Sequence, residues 1–204
     1  MGRLRRAPAG VGVGRLAVIG AVAACLLAMP PAPTHAKPKS AKAKKEQSGR
    51  RKAPPIEISS WINTKPLRAR DLEGTPRLVE FWTFDCVNCQ NSVLAMREIY
   101  GLYAKQGLRV LGIHTPEFPH ERDSSAVAAA VKKQGIGYPV GLDNDFAVFN
   151  GFKNKYWPAI FVVDREGIIR ATHIGELHVG TRAWRNLCAS IERVLAMKKE
   201  PRRS

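Results

Sequence analysis

The chain has 204 residues, room for one domain with appendages rather than for several domains. Its 45% hydrophobic content suits a packed globular core, and its formal charge is +16. That charge sits at the ends: residues 1–36 carry four Arg and no acid, 37–55 eight Lys or Arg against one Glu, and 198–204 four against one, while 56–197 carry 17 against 15. The part able to fold is therefore nearly neutral. It has no basic face interleaved with aromatics, which argues against nucleic-acid binding by the domain.

Residues 1–36 read as an export signal. Arg3, Arg5, Arg6 and Arg15 make a positive n-region, residues 16–29 are a 14-residue apolar stretch, and Pro30, Pro31 and Pro33 end it ahead of Thr34-His35-Ala36. A bilayer span needs about 20 apolar residues. An uncleaved membrane anchor over 16–29 is a second reading. Val22-Ala23-Ala24-Cys25 resembles a lipobox, which would make Cys25 a lipidated N-terminus, and this is a third. Each places the domain outside the cytoplasm, in the periplasm or an equivalent compartment. Residues 37–55 form a basic linker that cannot bury enough apolar surface to fold. It serves as a solvated spacer, or as an electrostatic contact with an anionic membrane or wall surface.

Residues 56–63 predict a short strand with Ile56, Ile58 and Trp61 inward, and 68–74 a turn. Residues 77–83 predict a central strand, because their apolar run is continuous. A helix over 90–106 follows from Val93, Leu94, Met96, Ile99, Tyr100 and Tyr103 at spacings of three and four. Residues 108–114 are a second buried strand, 115–120 a loop with Pro116 and Pro119, 124–134 a helix, 138–142 an extended piece and 144–149 one or two helical turns. Strand 159–163 turns at Asp164-Arg165-Glu166-Gly167 into an antiparallel partner over 168–174. An amphipathic helix over 181–197 closes the domain, with Leu187, Cys188, Ile191 and Val194 on its apolar face, and a basic tail covers 198–204. This order implies an α/β fold over 56–197, a mixed central sheet with helices on both faces.

The chemistry centres on Cys86 and Cys89. A zinc site would need two further ligands, and there is no second C-x-x-C. A structural disulfide across three positions would constrain almost nothing. A redox pair fits best, because a strand precedes it and a helix follows. A Cys at the first helical turn meets unpaired N–H groups and the positive end of the helix dipole, which favour a thiolate. The second Cys, three positions on, lies on the same face. One sulfur can attack outward and the other close a disulfide behind it.

Glu80-Phe81-Trp82-Thr83-x-x-Cys86-x-x-Cys89 resembles the active-site segment of thioredoxin-fold proteins, in particular the exported TlpA-like and DipZ-like (redoxin) thiol–disulfide oxidoreductases. Ile113-His114-Thr115-Pro116-Glu117-Phe118, Tyr138-Pro139-Val140, Leu142-Asp143-Asn144-Asp145 and Tyr156-Trp157-Pro158-Ala159 extend the resemblance over residues 58–174. It implies a thioredoxin-like fold and gives four residues catalytic roles: Cys86, Cys89, Glu80 as a buried acid that exchanges a proton with the resolving thiol, and Pro158 as a cis proline facing the pair. Trp157 is expected to offer its backbone to an extended substrate strand, and Trp82 to shield the site. Gly175-Glu176-Leu177-His178 lacks a glycine expected after the Glu. The chain carries no multi-span segment of the kind fused in DipZ-like proteins, so the electron donor is expected to be a separate membrane protein.

Phe84 is expected to pack near the cysteines. Asp85 opposes a thiolate on Cys86, and Val87 and Asn88 add no positive charge, so the pair is expected to be weakly oxidising. His114, Thr115 and Glu117 end a strand, and a packed histidine there is favoured over a ligand. Cys188 is expected to be a buried inert thiol. The expected function is an exported thiol–disulfide oxidoreductase acting on protein thiols or disulfides outside the cytoplasm, in the reducing direction, with neither cofactor nor metal. The alternatives are a thiol peroxidase, from Thr83-x-x-Cys86, and a Cu(I)-binding module on Cys86 and Cys89.

Overall fold

The computed structural model describes residues 51–197. Six strands, β1 (Trp61–Ile62), β2 (Arg77–Trp82), β3 (Arg109–His114), β4 (Val140–Leu142), β5 (Ala159–Val163) and β6 (Ile169–Ile174), form one sheet in the order β1-β4-β3-β2-β5-β6. β2, β3 and β4 run parallel; β1, β5 and β6 each pair antiparallel with their neighbours. Four helices join them: α1 (Val87–Tyr103), α2 (Ser124–Lys133), α3 (Ala147–Gly151) and α4 (Arg182–Ala196). The mixed sheet with helices on both faces is the arrangement expected from the order of elements.

β2 is paired on both edges and all six of its residues are buried. Its alternation divides the core in two. Leu78 and Trp82 face a cluster holding Val93, Met96 and Ile99 of α1 and Leu187 and Ile191 of α4. Val79 and Phe81 face the other side, with Ile56, Ile58, Phe149 and Phe152. There the Phe81 ring meets Phe149, Phe152 and Phe161 edge-on at centroid distances of 5.5, 5.2 and 5.8 Å.

Several boundaries differ from the sequence reading, among them the helical turns read over 144–149, which form at Ala147–Gly151. The strand over 56–63 pairs only at Trp61 and Ile62. Ile56 and Ile58 are buried without a ladder, and Asn63, at φ 63°, turns the chain away. The apolar alternation there records burial, not pairing. Residues 51–55, read as the end of the linker, instead pack on the domain: Ala53 is buried and its N–H donates to Gly167 O at 2.7 Å, and Ile169 N–H donates to Arg51 O at 2.9 Å. The turn over 68–74 contains a 3-10 helix, Ala69–Leu72. The cysteine helix starts at Val87, not at residue 90, because Cys86 caps it. The readings of residues 1–36, of the linker through residue 50 and of the tail 198–204 lie outside the described residues. Among the described residues, no helix is long and apolar enough to cross a membrane.

Phe81 anchors the second core, so Phe81→Ala is expected to lower unfolding stability by about 3–5 kcal/mol. Urea unfolding measures it, and a loss below about 1 kcal/mol contradicts the packing described.

Candidate active site

β2 ends at Trp82, and the chain passes through Thr83, Phe84 and Asp85 to Cys86, the N-cap of α1. The Cys89 N–H donates to Cys86 Sγ at 3.2 Å, and Gln90 N–H donates to Cys86 O at 3.0 Å. A sulfur at the N-cap thus accepts from an amide that the helix leaves unpaired, and that favours negative charge on it. Cys86 is half-buried, whereas Cys89 is 1% exposed. Both are free thiols. Burial pushes the Cys89 thiol far up, and the neighbouring Cys86 sulfur and the Glu80 charge push the same way. The two sulfurs are therefore unlike: one reachable and held by an amide, the other enclosed and reluctant to ionise.

Glu80 lies on the same face of β2 as Leu78 and Trp82 and is 2% exposed. Burial raises its carboxyl from 4.5 to about 7, and the hydrogen bond that Tyr138 OH donates to Oε2, 2.9 Å, partly opposes the rise. A carboxyl balanced near neutrality can take a proton and return it at physiological pH. Trp82 is buried in the cluster that contains Cys89, and Phe84 and Cys86 pack against it. Phe84 stacks on His114 at 5.6 Å.

The Trp157–Pro158 peptide bond is cis. Phe81 pairs with Ala159 in the β2–β5 ladder, which places Pro158 beyond it, level with Trp82 at the end of the sheet where Cys86 lies. Trp157 stacks on Phe149 at 4.6 Å and donates its indole N–H to Thr115 O at 3.0 Å. The 175–178 loop ties the two halves of this end together: Gly175 N–H donates to Pro158 O at 2.9 Å, and Leu177 N–H donates to Ser92 Oγ on α1 at 2.9 Å.

The structure brings Cys86, Cys89, Glu80, Trp82, Trp157 and Pro158 to one end of the sheet. Cys188 stands apart, buried in α4, and burial raises its thiol. His114 is fully buried, and that burial lowers it to about 4 against the pull of the Glu121 charge.

Glu121 is the residue the sequence reading missed. It is fully buried beside the segment that leads into Cys86. Its Oε1 accepts from Thr83 Oγ1 and, at 3.1 Å, from Asp85 N–H; its Oε2 accepts from Glu117 N–H and Phe118 N–H at 2.6 and 2.8 Å. Burial alone would raise its carboxyl, but these donors outweigh burial and hold it below the usual range. Its sequence signal is a Pro at the first position of a helical turn with a Glu two residues later, Pro119-x-Glu121. In the sequence Tyr138 stands only within the motif Tyr138-Pro139-Val140, and its pairing with Glu80 is visible only in three dimensions.

The sequence profile of the AhpC/TSA family matches residues 50–172. The chain belongs to the AhpC/TSA family. This AhpC/TSA domain is 38% identical over 122 residues to the DipZ proteins of Mycobacterium bovis and Mycobacterium tuberculosis, an alignment covering 58% of this chain and 18% of theirs. The chain thus spans under a fifth of the length of those relatives. It is 27% identical over 137 residues to the thiol-disulfide oxidoreductase YkuV of Bacillus subtilis, covering 67% of this chain and 88% of that one. Its fold matches that of a thioredoxin-like superfamily protein at TM-score 0.66 and 23% identity, over 73% of this chain and 99% of the other. The thioredoxin-like fold and the redoxin resemblance read from the sequence both hold.

Glu80 gives the AhpC/TSA domain a pH-dependent cost. Its carboxyl binds its proton more tightly in the fold, about 7, than at its ordinary 4.5, so stability is lost as pH rises through that interval. Glu80→Gln cannot ionise. Its stability relative to wild type is expected to improve by on the order of 3 kcal/mol between pH 4.5 and pH 7.5. Denaturant unfolding at the two pH values checks this, and a constant difference contradicts it.

Proposed function

We propose that this chain is a thiol–disulfide oxidoreductase that acts on proteins outside the cytoplasm, in the reducing direction. The observation that carries the exchange chemistry is the inequality of the two sulfurs: Cys86 accepts an amide hydrogen bond at the half-buried N-cap, and Cys89 is enclosed behind it. The likeness to YkuV, a protein named as a thiol-disulfide oxidoreductase, supports the same chemistry.

In the reducing cycle Cys86, as a thiolate, attacks a disulfide sulfur of the partner and expels the other partner sulfur as a thiolate. Cys89 then loses its proton and attacks Cys86. The Cys86–Cys89 disulfide forms, and the partner leaves with both its sulfurs reduced. Glu80, buried on the Cys89 side of β2, is the base for that second step, directly or through a water. The Trp157 backbone lies just before the β5 ladder, where an extended partner segment could pair, and the side chain of Pro158 leaves no N–H there to compete.

The reducing direction rests on the charges. Asp85 stands next to Cys86, and Glu80 and Glu121 lie buried nearby; residues 87 and 88 are Val and Asn. Negative charge disfavours the thiolate and so disfavours the dithiol state relative to the disulfide. Export rests on residues 1–36. A separate membrane electron donor would restore the dithiol, and the basic segment ahead of residue 51 would provide contact with an anionic surface.

A peroxidase reading receives no support from Thr83. Its hydroxyl donates to Glu121 and sits 3.2 Å from His114 Nε2; among the described residues it makes no hydrogen bond to Cys86.

Wild type is expected to reduce insulin disulfides, with Cys86→Ser at least about a hundredfold slower, because the attacking sulfur is gone. Equal turnover overturns the assignment. Cys89→Ser is expected to accumulate as a mixed disulfide through Cys86, identifiable by mass spectrometry. A reduction potential near about −120 mV, the strongly oxidising end of the scale, would contradict the reducing direction.

A further inference from the structure

The loop 115–121 and the segment 83–85 are far apart in the chain, yet one carboxylate joins them. β2 and β3 are parallel neighbours, with Trp82 level with His114, so the two strand exits lie side by side. Glu121 reaches across from the loop after β3 and accepts four donors, two of them, Thr83 Oγ1 and Asp85 N–H, on the segment that carries Cys86. Among the described residues no Lys or Arg forms an ion pair with it; the amides and the hydroxyl alone satisfy it. Such a site holds an anion in place without cancelling its charge. The field of that charge acts in a low-dielectric setting, where it is screened less than a surface carboxylate.

The titratable groups facing this carboxylate are few. His114, from β3, is fully buried and lies 3.2 Å from Thr83 Oγ1. Asp85 and His120 form an exposed pair at 3.1 Å just outside it, and Glu117 belongs to the same loop. None places a permanent positive charge between Glu121 and Cys86.

The geometry points to Glu121 as a positioning residue that sets the redox poise of the site: as a buried, uncompensated anion it anchors the backbone entering Cys86 and holds the Cys86–Cys89 pair toward the reducing end. This rests on the reading of the two cysteines as an exchanging pair. The relevant equilibrium is with glutathione. The Cys86 thiolate displaces one glutathione thiolate from glutathione disulfide, and Cys89 then displaces the second from the mixed disulfide. Two electrons pass from the protein sulfurs to glutathione, and the two protons given up by the protein thiols end on the released glutathione or in solvent. An anion behind Cys86 destabilises the charged dithiol state and drives this reaction toward the protein disulfide. Removing it shifts the balance back.

The test compares full-length wild type, Glu121→Gln and Glu121→Asp. The Gln variant can keep an oxygen toward Thr83 and Asp85 while losing the charge; the Asp variant keeps the charge and loses reach. Two quantities are read for each: the equilibrium constant with glutathione, and the pH profile of Cys86 alkylation followed by mass spectrometry. Circular dichroism confirms that each variant is folded. Glu121→Gln is expected to shift the equilibrium toward the dithiol by roughly tenfold, which is about 30 mV for a two-electron couple, and to move the alkylation profile to lower pH. Glu121→Asp is expected to stay within about twofold of wild type. An unchanged equilibrium and profile in the Gln variant, with only a lower unfolding midpoint, would make Glu121 a structural residue and overturn the proposal. Equal shifts in both variants would overturn it too, because geometry and not charge would be responsible. If wild type fails to exchange with glutathione at all, the reading of the site as an exchanging pair fails, while the alkylation profiles still decide whether the Glu121 charge acts on Cys86.

Discussion

The active end of this domain depends on the confinement of one strand. β2 is hydrogen-bonded on both edges and buried on both faces, so it has no freedom to slide, tilt or fray. A slip of one residue would turn Glu80 into the aromatic core around Phe81 and turn Phe81 toward Cys89. The phase of the strand therefore sets where the carboxyl points, and its last residue sets where α1 begins. With β5 locked in register beside it, the Trp157–Pro158 bond arrives at the same end of the sheet.

Given that frame, the chemistry follows from how the site distributes exposure and charge. Cys86 has partial solvent access and an amide donor; Cys89 is enclosed, and its burial and its neighbours Cys86 and Glu80 resist its ionisation. In the proposed exchange such a pair reacts in a fixed order, outer sulfur first. A base at the inner sulfur is then required, and a carboxyl lifted to about 7 by burial is suited to serve. The cost is a carboxyl that destabilises the fold whenever it ionises, a trade of stability for function common at catalytic sites. The anion at Glu121 differs in kind. Burial brings the Glu80 carboxyl to about 7, whereas the donors around Glu121 hold its carboxyl below the usual range, which suits the first to the proposed proton transfer and the second to the proposed fixed charge.

Much of this was legible in the sequence, and the reasons are local. The apolar run through residues 78–82 marks the central strand, the spacing of Val93, Met96, Ile99 and Tyr103 marks the body of α1 though not its start, and resemblance to the redoxins points to Glu80 and Pro158. The misreadings were also local in origin. Ile56 and Ile58 alternate like a strand but pack without pairing, and residues 51–55 look like linker because their composition is basic while Ala53 is tucked against Gly167. Glu121 escaped for a different reason. It sits 36 residues from Asp85, and nothing in either segment announces that parallel pairing of β2 and β3 will bring them together. Tyr138 and Glu80, 58 residues apart, illustrate the same point.

The central claim is that the two sulfurs are chemically unequal and act in order. Competitive alkylation of the reduced protein at neutral pH, with limiting iodoacetamide and peptide mapping, reads this directly. The account predicts that Cys86 is labelled at least about tenfold faster than Cys89, because Cys86 is the half-buried sulfur while Cys89 is enclosed and burial raises its thiol. Equal labelling, or labelling of Cys89 first, would contradict it.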